Sequence, residues 1–213
     1  MGIDRAGWPF ILGALVLALI VAWWLGRLWA LPVVLLAAFF VFFFRDPDRT
    51  SPARPNLIVS PADGRVMIVG DPPFPGAPAG DWHLISIFLS PMDVHINRTP
   101  VAGRVTKVEY HPGRFLPAYK TDAGTHNEWT EVWFDHQGTT IVCRQIVGIL
   151  ARRIVTRLTV GQQVGRGERF GVMKFGSRID LFVPRSAAIV VKAGDRVVGG
   201  ESVLATLTPG SMR

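Results

Sequence analysis

Two long apolar runs open the chain, and no comparable run follows them. Trp8 to Gly26 (WPFILGALVLALIVAWWLG) carries no charge, and after Arg27 the stretch Leu28 to Phe44 (LWALPVVLLAAFFVFFF) is apolar again. Each holds about 17 to 19 residues. At about 1.5 Å per residue such helices reach roughly 26 to 28 Å, close to the roughly 30 Å hydrocarbon core of a bilayer. Trp8, Trp23, Trp24 and Trp29 lie near the run ends, where indoles favour the membrane–water interface. A secretion signal has a shorter apolar core that ends in small residues, unlike this doubled, aromatic-rich pattern. The pattern predicts a helical hairpin turning at Gly26-Arg27; one span plus an interfacial helix is the other arrangement it allows. Pro32 suits the first turn of the second helix. Arg5 precedes the pair, and Arg45, Arg49 and Arg54 follow it. The positive-inside rule then sets both flanks in the cytoplasm, with the chain in the inner cell membrane.

From Asp46 to Asn56 the pattern turns polar and proline-rich (DPDRTSPARPN), as at the start of a second domain. Short β-like runs then alternate with Gly, Pro and Asp. They are Leu57–Ser60, Arg65–Val69, His83–Leu89, Val101–Tyr110, Glu131–Phe134, Thr139–Val147, Ile154–Val160, Ile179–Val183 and Ser202–Leu207. His83–Leu89 alternates only partly, as a strand buried on both faces does. No amphipathic helix exceeds about three turns. The expected fold is mainly β: a sandwich or barrel-like body over residues 46–213, preceded by an α-helical membrane anchor over 1–45. Pro72 to Gly80 (PPFPGAPAG) reads as a surface crossing, with a lid as the alternative. Val191–Glu201 resembles the glycine–aspartate hairpins of biotinyl/lipoyl sandwiches, and Val160–Glu168 echoes it.

Composition narrows the classes. The 213 residues are 49% hydrophobic with a formal net charge of +7. A positive mean hydropathy of +0.30 agrees with a membrane segment. The basic balance suits nucleic acid, anionic lipid or an acidic substrate. The arginines are scattered, with no dense basic block interleaved with aromatics, so no nucleic-acid partner is expected. The lone cysteine, Cys143, makes neither an internal disulfide nor a zinc cluster and reads as a packed thiol in a strand.

Three places carry candidate chemistry. Ser60-Pro-Ala-Asp-Gly64 reads by itself as a turn in which Asp63 bonds its own backbone. Phe88-Leu-Ser-Pro-Met-Asp-Val-His-Ile-Asn-Arg98 sets a polar cluster after an apolar strand, with His95 able to titrate near neutrality. Met173-Lys-Phe-Gly-Ser-Arg178 places Gly176-Ser177 between two β-like runs. This is either a plain turn or a serine poised to attack the carbonyl before it, with glycine giving the backbone room.

Taken together, FFRDP at Phe43–Pro47, SPADG at Ser60–Gly64, FLSPMDVH at Phe88–His95 and KFGSR at Lys174–Arg178 resemble the phosphatidylserine decarboxylases, in their short bacterial and archaeal-type form. The resemblance runs over nearly the whole chain. It implies a precursor that cuts itself between Gly176 and Ser177 into a β chain (1–176) and an α chain (177–213). Ser177 would become a covalent pyruvoyl group, with no metal. It implies an Asp63–His95–Ser177 relay, following general triad logic. Some longer relatives carry a second histidine three residues on, where this chain has Arg98. The implied reaction converts phosphatidylserine in the membrane to phosphatidylethanolamine and CO2 through a Schiff base with the pyruvoyl carbonyl. His95 is the candidate proton donor. Arg98 or Lys174 would hold the phosphate or carboxylate. Homodimers are common among such relatives. The reading from a different class is a membrane-tethered biotinyl/lipoyl-like carrier or adaptor, in which Met173-Lys174 would be the acceptor turn.

Overall fold

The computed structural model describes residues 2–73, 75–149, 154–174 and 176–207. The chain divides into two compact units, 1–48 and 49–213. In the first, α1 (Trp8–Trp24) and α2 (Arg27–Phe43) pack side by side about a turn at Gly26. Their contact is lined by small side chains, with Ala14, Ala18, Ala30 and Ala37 buried, which lets the two backbones approach closely. Phe10 packs against Phe40 and Phe44 at centroid distances of 5.6 and 5.5 Å. The open end is closed by β1 (Gly2–Ile3) pairing with β2 (Arg45–Asp46). Leu19, Trp23, Trp24 and Leu28 face outward and are exposed. Among the described residues, one helix, Arg5–Trp24, is long and apolar enough to cross a membrane; Arg27–Phe43 is apolar but shorter. Pro32 lies inside α2 rather than in its first turn, because the helix already starts at Arg27.

The second unit pairs all its named strands antiparallel, with one isolated parallel bridge between Arg114 and Asn127. Its strands are β3 (Leu57–Val59), β4 (Gly64–Gly70), β5 (Trp82–Leu89), β6 (Ile96–Arg98), β7 (Gly103–His111), β8 (Trp129–His136), β9 (Thr139–Ile146), β10 (Ile154–Thr156), β11 (Gln163–Val164), β12 (Arg169–Met173), β13 (Ser177–Pro184), β14 (Ala188–Ile189), β15 (Arg196–Val197) and β16 (Val203–Thr206). One short helix, α3 (Ala123–His126), interrupts them. An eight-stranded sheet runs β11-β7-β8-β9-β13-β5-β4-β15, and two three-stranded sheets run β10-β12-β6 and β14-β16-β3. The large sheet is open, ending at β11 and β15, so the fold is mainly β without a closed barrel. Each of the nine apolar runs contains a strand, whereas β6, β11, β12, β14 and β15 were not marked by the pattern. At two to five residues, these strands are too short to show a period and owe their form to their neighbours.

The two faces of the large sheet differ. Ile85, Ile87, Leu89, Ile141, Cys143, Ile179, Leu181 and Val183 point into the main core, which also draws on Ile58, Phe170, Met173 and Leu204 from the small sheets. The other face buries Trp82, Leu84, Val142 and Phe182 together with two ion pairs. Arg144 pairs with Glu131 at 2.7 Å and Arg178 with Asp180 at 2.6 Å, all four almost fully buried. The Pro72–Gly80 crossing lies over this face, with the Gly76 carbonyl accepting from Arg144 at 2.9 Å.

Candidate active site

The chain passes from the three-stranded to the eight-stranded sheet between Met173, the end of β12, and Ser177, the start of β13. Two pairings fix this crossing. Ser177 stands opposite Leu89 at the end of β5. β12 pairs with β6, so the Met173 N–H donates to the carbonyl of His95, just ahead of β6. The segment joining β5 to β6 therefore brings His95 to the chain just before Gly176-Ser177.

His95 is fully buried and its ring is oriented by backbone. The Ser90–Asp93 turn, closed by Ser90 N–H to Asp93 Oδ2 at 2.8 Å, presents the Asp93 carbonyl 2.9 Å from His95 Nδ1. A carbonyl only accepts, so Nδ1 carries the proton. Nε2 is then the acceptor, and it receives the Gly176 N–H at 3.4 Å. Nε2 is thus the ring nitrogen aimed at the crossing. Ser177 is fully buried on the core-facing side of β13, and its hydroxyl has no hydrogen-bond partner among the described residues. A buried, unsatisfied hydroxyl costs free energy, and such orphans call for a functional explanation.

Gly176 adopts φ +75°, a left-handed conformation that favours glycine. Its carbonyl lies against Gly148, where an added Cβ would stand 2.2 Å from the Gly176 oxygen. Gly148 follows the apolar run of β9 and looks in sequence like a strand terminator; nothing in a single sequence marks it as the glycine that makes room for this carbonyl. Gly176 also forms part of the wall of an open cavity of about 340 Å³ lined by Phe88, Pro91, Pro117, Ala118, Tyr119 and Ile149, almost wholly apolar. Phe88 and Tyr119 meet edge to face at 6.2 Å.

The other expected site residues lie as follows. Asp63 accepts from Gly199 N–H at 2.7 Å through Oδ1 and from Arg49 at 3.0 Å through Oδ2. Lys174 is half-buried two residues before Gly176. Arg98 is buried and donates to the Gly167 carbonyl at 3.0 Å. It lines a different cavity from Gly176, of about 310 Å³, with Arg49, Ser51, Arg166, Glu168 and Arg169. Arg166 in that wall donates to the carbonyls of Arg54 and Leu57, and burial holds its pKa below the ordinary value. Behind the site, Gln145 donates to Asn97 at 2.7 Å and accepts from Thr156 at 2.6 Å, tying β9 to β6 and β10. Among the described residues, no three His, Cys, Asp or Glu side chains cluster as metal ligands would.

The family model for phosphatidylserine decarboxylase matches residues 36–205. A phosphatidylserine decarboxylase proenzyme of Symbiobacterium thermophilum is 47% identical over 208 residues, covering 96% of this chain and 95% of its own. Proenzymes of the same name from Solibacter usitatus and Nitrosomonas europaea are 44% and 41% identical, again over 94% or more of both chains. With the motif order, the coverage and a serine–histidine crossing between two sheets all in agreement, the chain belongs to the phosphatidylserine decarboxylase family.

Proposed function

We infer that the chain is a phosphatidylserine decarboxylase, made as a proenzyme that cuts itself between Gly176 and Ser177. The observation that carries this reading is the buried, unpartnered Ser177 hydroxyl one residue from the peptide N–H that rests on His95 Nε2. The Ser177 hydroxyl passes its proton to His95, and its oxygen attacks the Gly176 carbonyl carbon. The amide C–N bond breaks as an ester forms, and the proton held by His95 goes to the released Ser177 amine. Loss of the Ser177 α-proton with scission of Cβ–Oγ leaves a carboxylate on Gly176 and dehydroalanine at 177. Water then replaces nitrogen, ammonia leaves, and a pyruvoyl terminus remains. The residues present suit that group: residue 177 is buried, held in register by β13, and next to the wall of an apolar cavity.

The pyruvoyl carbonyl supplies an electron sink for the serine headgroup once its amine has condensed there. The chain's own residues do the rest. The apolar cavity at Gly176 strips water from the carboxylate, which favours its departure as CO2. His95, its ring fixed by the Asp93 carbonyl, returns a proton to the substrate α-carbon. Asp63, which accepts from Arg49 and the Gly199 amide, is the acid of the relay, charging the His95 imidazole. Lys174 is the cation assigned to the substrate's phosphate or carboxylate. The N-terminal hairpin anchors the chain in the inner membrane with both flanks cytoplasmic, as its arginines direct.

Intact mass under denaturing conditions tests the reading. The expected result is two fragments, the smaller beginning at residue 177 and lighter than a serine-started peptide by one ammonia. Ser177→Ala should remain a single chain and release no CO2 from labelled phosphatidylserine. An active, uncut Ser177→Ala variant refutes the proposal.

A further inference from the structure

The cavity at Gly176 is open to its surroundings among the described residues. Among the described residues of 49–213, four of the seven exposed large apolar side chains belong to the segments that line it: Met92, Phe115, Tyr119 and Ile149. Tyr119 is 62% exposed, Met92 56% and Ile149 54%. Phe115 and Tyr119 sit in a segment reading Arg114-Phe-Leu-Pro-Ala-Tyr-Lys120, in which an aromatic and then an exposed cation flank an apolar centre at each end. No acid falls between the two cations. The segment is held rigidly. Buried Asn127 donates to the Leu116 carbonyl at 2.8 Å and accepts from its N–H at 2.9 Å, while Arg178 donates to the Lys120 carbonyl. The exposed side chains therefore stand on a fixed loop.

Resting on the decarboxylase reading, we propose that this lip inserts into the lipid–water interface of the bilayer. It seats the cavity mouth on the membrane so that the headgroup reaches Gly176-Ser177 without the lipid leaving the bilayer. Aromatic side chains with adjacent cations suit that boundary: the rings enter the acyl–headgroup region and the cations meet anionic phosphates. The substrate is itself an anionic lipid, so the pair Arg114 and Lys120 complements the surface it approaches. Exposed apolar patches of this kind mark interaction surfaces.

The test uses the full chain reconstituted in phosphatidylserine-containing vesicles, with Met92→Ser/Phe115→Ser as the variant, since neither residue lines the cavity. The expected result is normal self-cutting, unchanged turnover of a short-chain, monomeric phosphatidylserine, and at least a tenfold fall in kcat/KM on vesicles. A fluorophore on Phe115→Cys should also be quenched by lipids brominated near the top of their acyl chains. An unchanged vesicle rate, or an unquenched probe, overturns the lip. So does a variant that changes oligomeric state and loses activity on both substrates, since the patch would then hold a second copy of the chain. Failure of the unmutated chain to cut itself and to turn over short-chain substrate would instead overturn the decarboxylase reading.

Discussion

At Gly148 and Gly176 two stretches of backbone meet with no side chain between them. A methyl at 148 would fall 2.2 Å from the oxygen of the carbonyl whose carbon is attacked in the proposed cut, so Gly148→Ala must push that peptide out of line. We expect self-cutting to slow at least tenfold, read by gel densitometry over time, while the thermal midpoint of the uncut chain moves little. At Gly176 the space is open and the penalty is conformational: φ of +75° costs a non-glycine residue about 1–2 kcal/mol. Cys143 behaves in the opposite manner. Burial, with smaller contributions from the Asp180 and Glu131 carboxylates, pushes its thiol well above the ordinary range. Iodoacetamide at pH 8 should leave it unmodified in the native protein and alkylate it once the fold is melted by denaturant. The packed thiol was readable from its apolar neighbours; the Gly148 contact was not, because it joins positions 28 residues apart along the chain.

Among the elements, β13 does most to define the site. It lies between β9 and β5, and its alternation sends Ser177, Ile179 and Leu181 to the core and Arg178 and Asp180 to the other face. That second face holds charge only because each charge is matched. Arg144 bonds Glu131 through two nitrogens, stacks on Trp129 at 4.2 Å and reaches the Gly76 carbonyl. Arg144→Met should strand the Glu131 carboxylate and cost about 3–5 kcal/mol, measured by urea unfolding. The Pro72–Gly80 crossing should also become more sensitive to protease, since the mutation removes one of its ties to the sheet, leaving those from Trp82. In sequence, β13 showed its apolar members, Ile179 to Val183, but not its first two residues. A serine and an arginine carry no strand signal, and only the pairing with Leu89 and Phe88 makes them strand.

For the whole molecule, the arrangement of sheets decides what the cut leaves behind. Residues 177–213 would supply β13, a central strand, and β14 to β16 besides. A fragment inserted between β9 and β5 cannot leave without breaking both ladders and opening the main core. The two products should therefore co-elute on size exclusion in mild detergent and separate only in strong denaturant. Separation under native conditions would mean that this sheet order is wrong for the cut protein. Apolar helices ahead of a β-rich body were legible from the hydrophobic pattern, since an unbroken apolar run and an alternating one carry the periods of different elements. The openness of the sheet was not, because closure depends on which strands become neighbours.

The residues alone determined the classes of structure and chemistry: apolar helices at the start, β-rich body after, a serine after a glycine, a histidine after a strand. These follow from side-chain transfer energies, local backbone preferences and reactivity, all of which are properties of short stretches. Tertiary structure decided which nitrogen of His95 accepts, that the Asp93 carbonyl orients it, that Gly148 makes room for the Gly176 carbonyl, and that Arg98 lines another cavity. Each of these is a contact between distant positions, and such contacts exist only once strand order and register have brought the chain together.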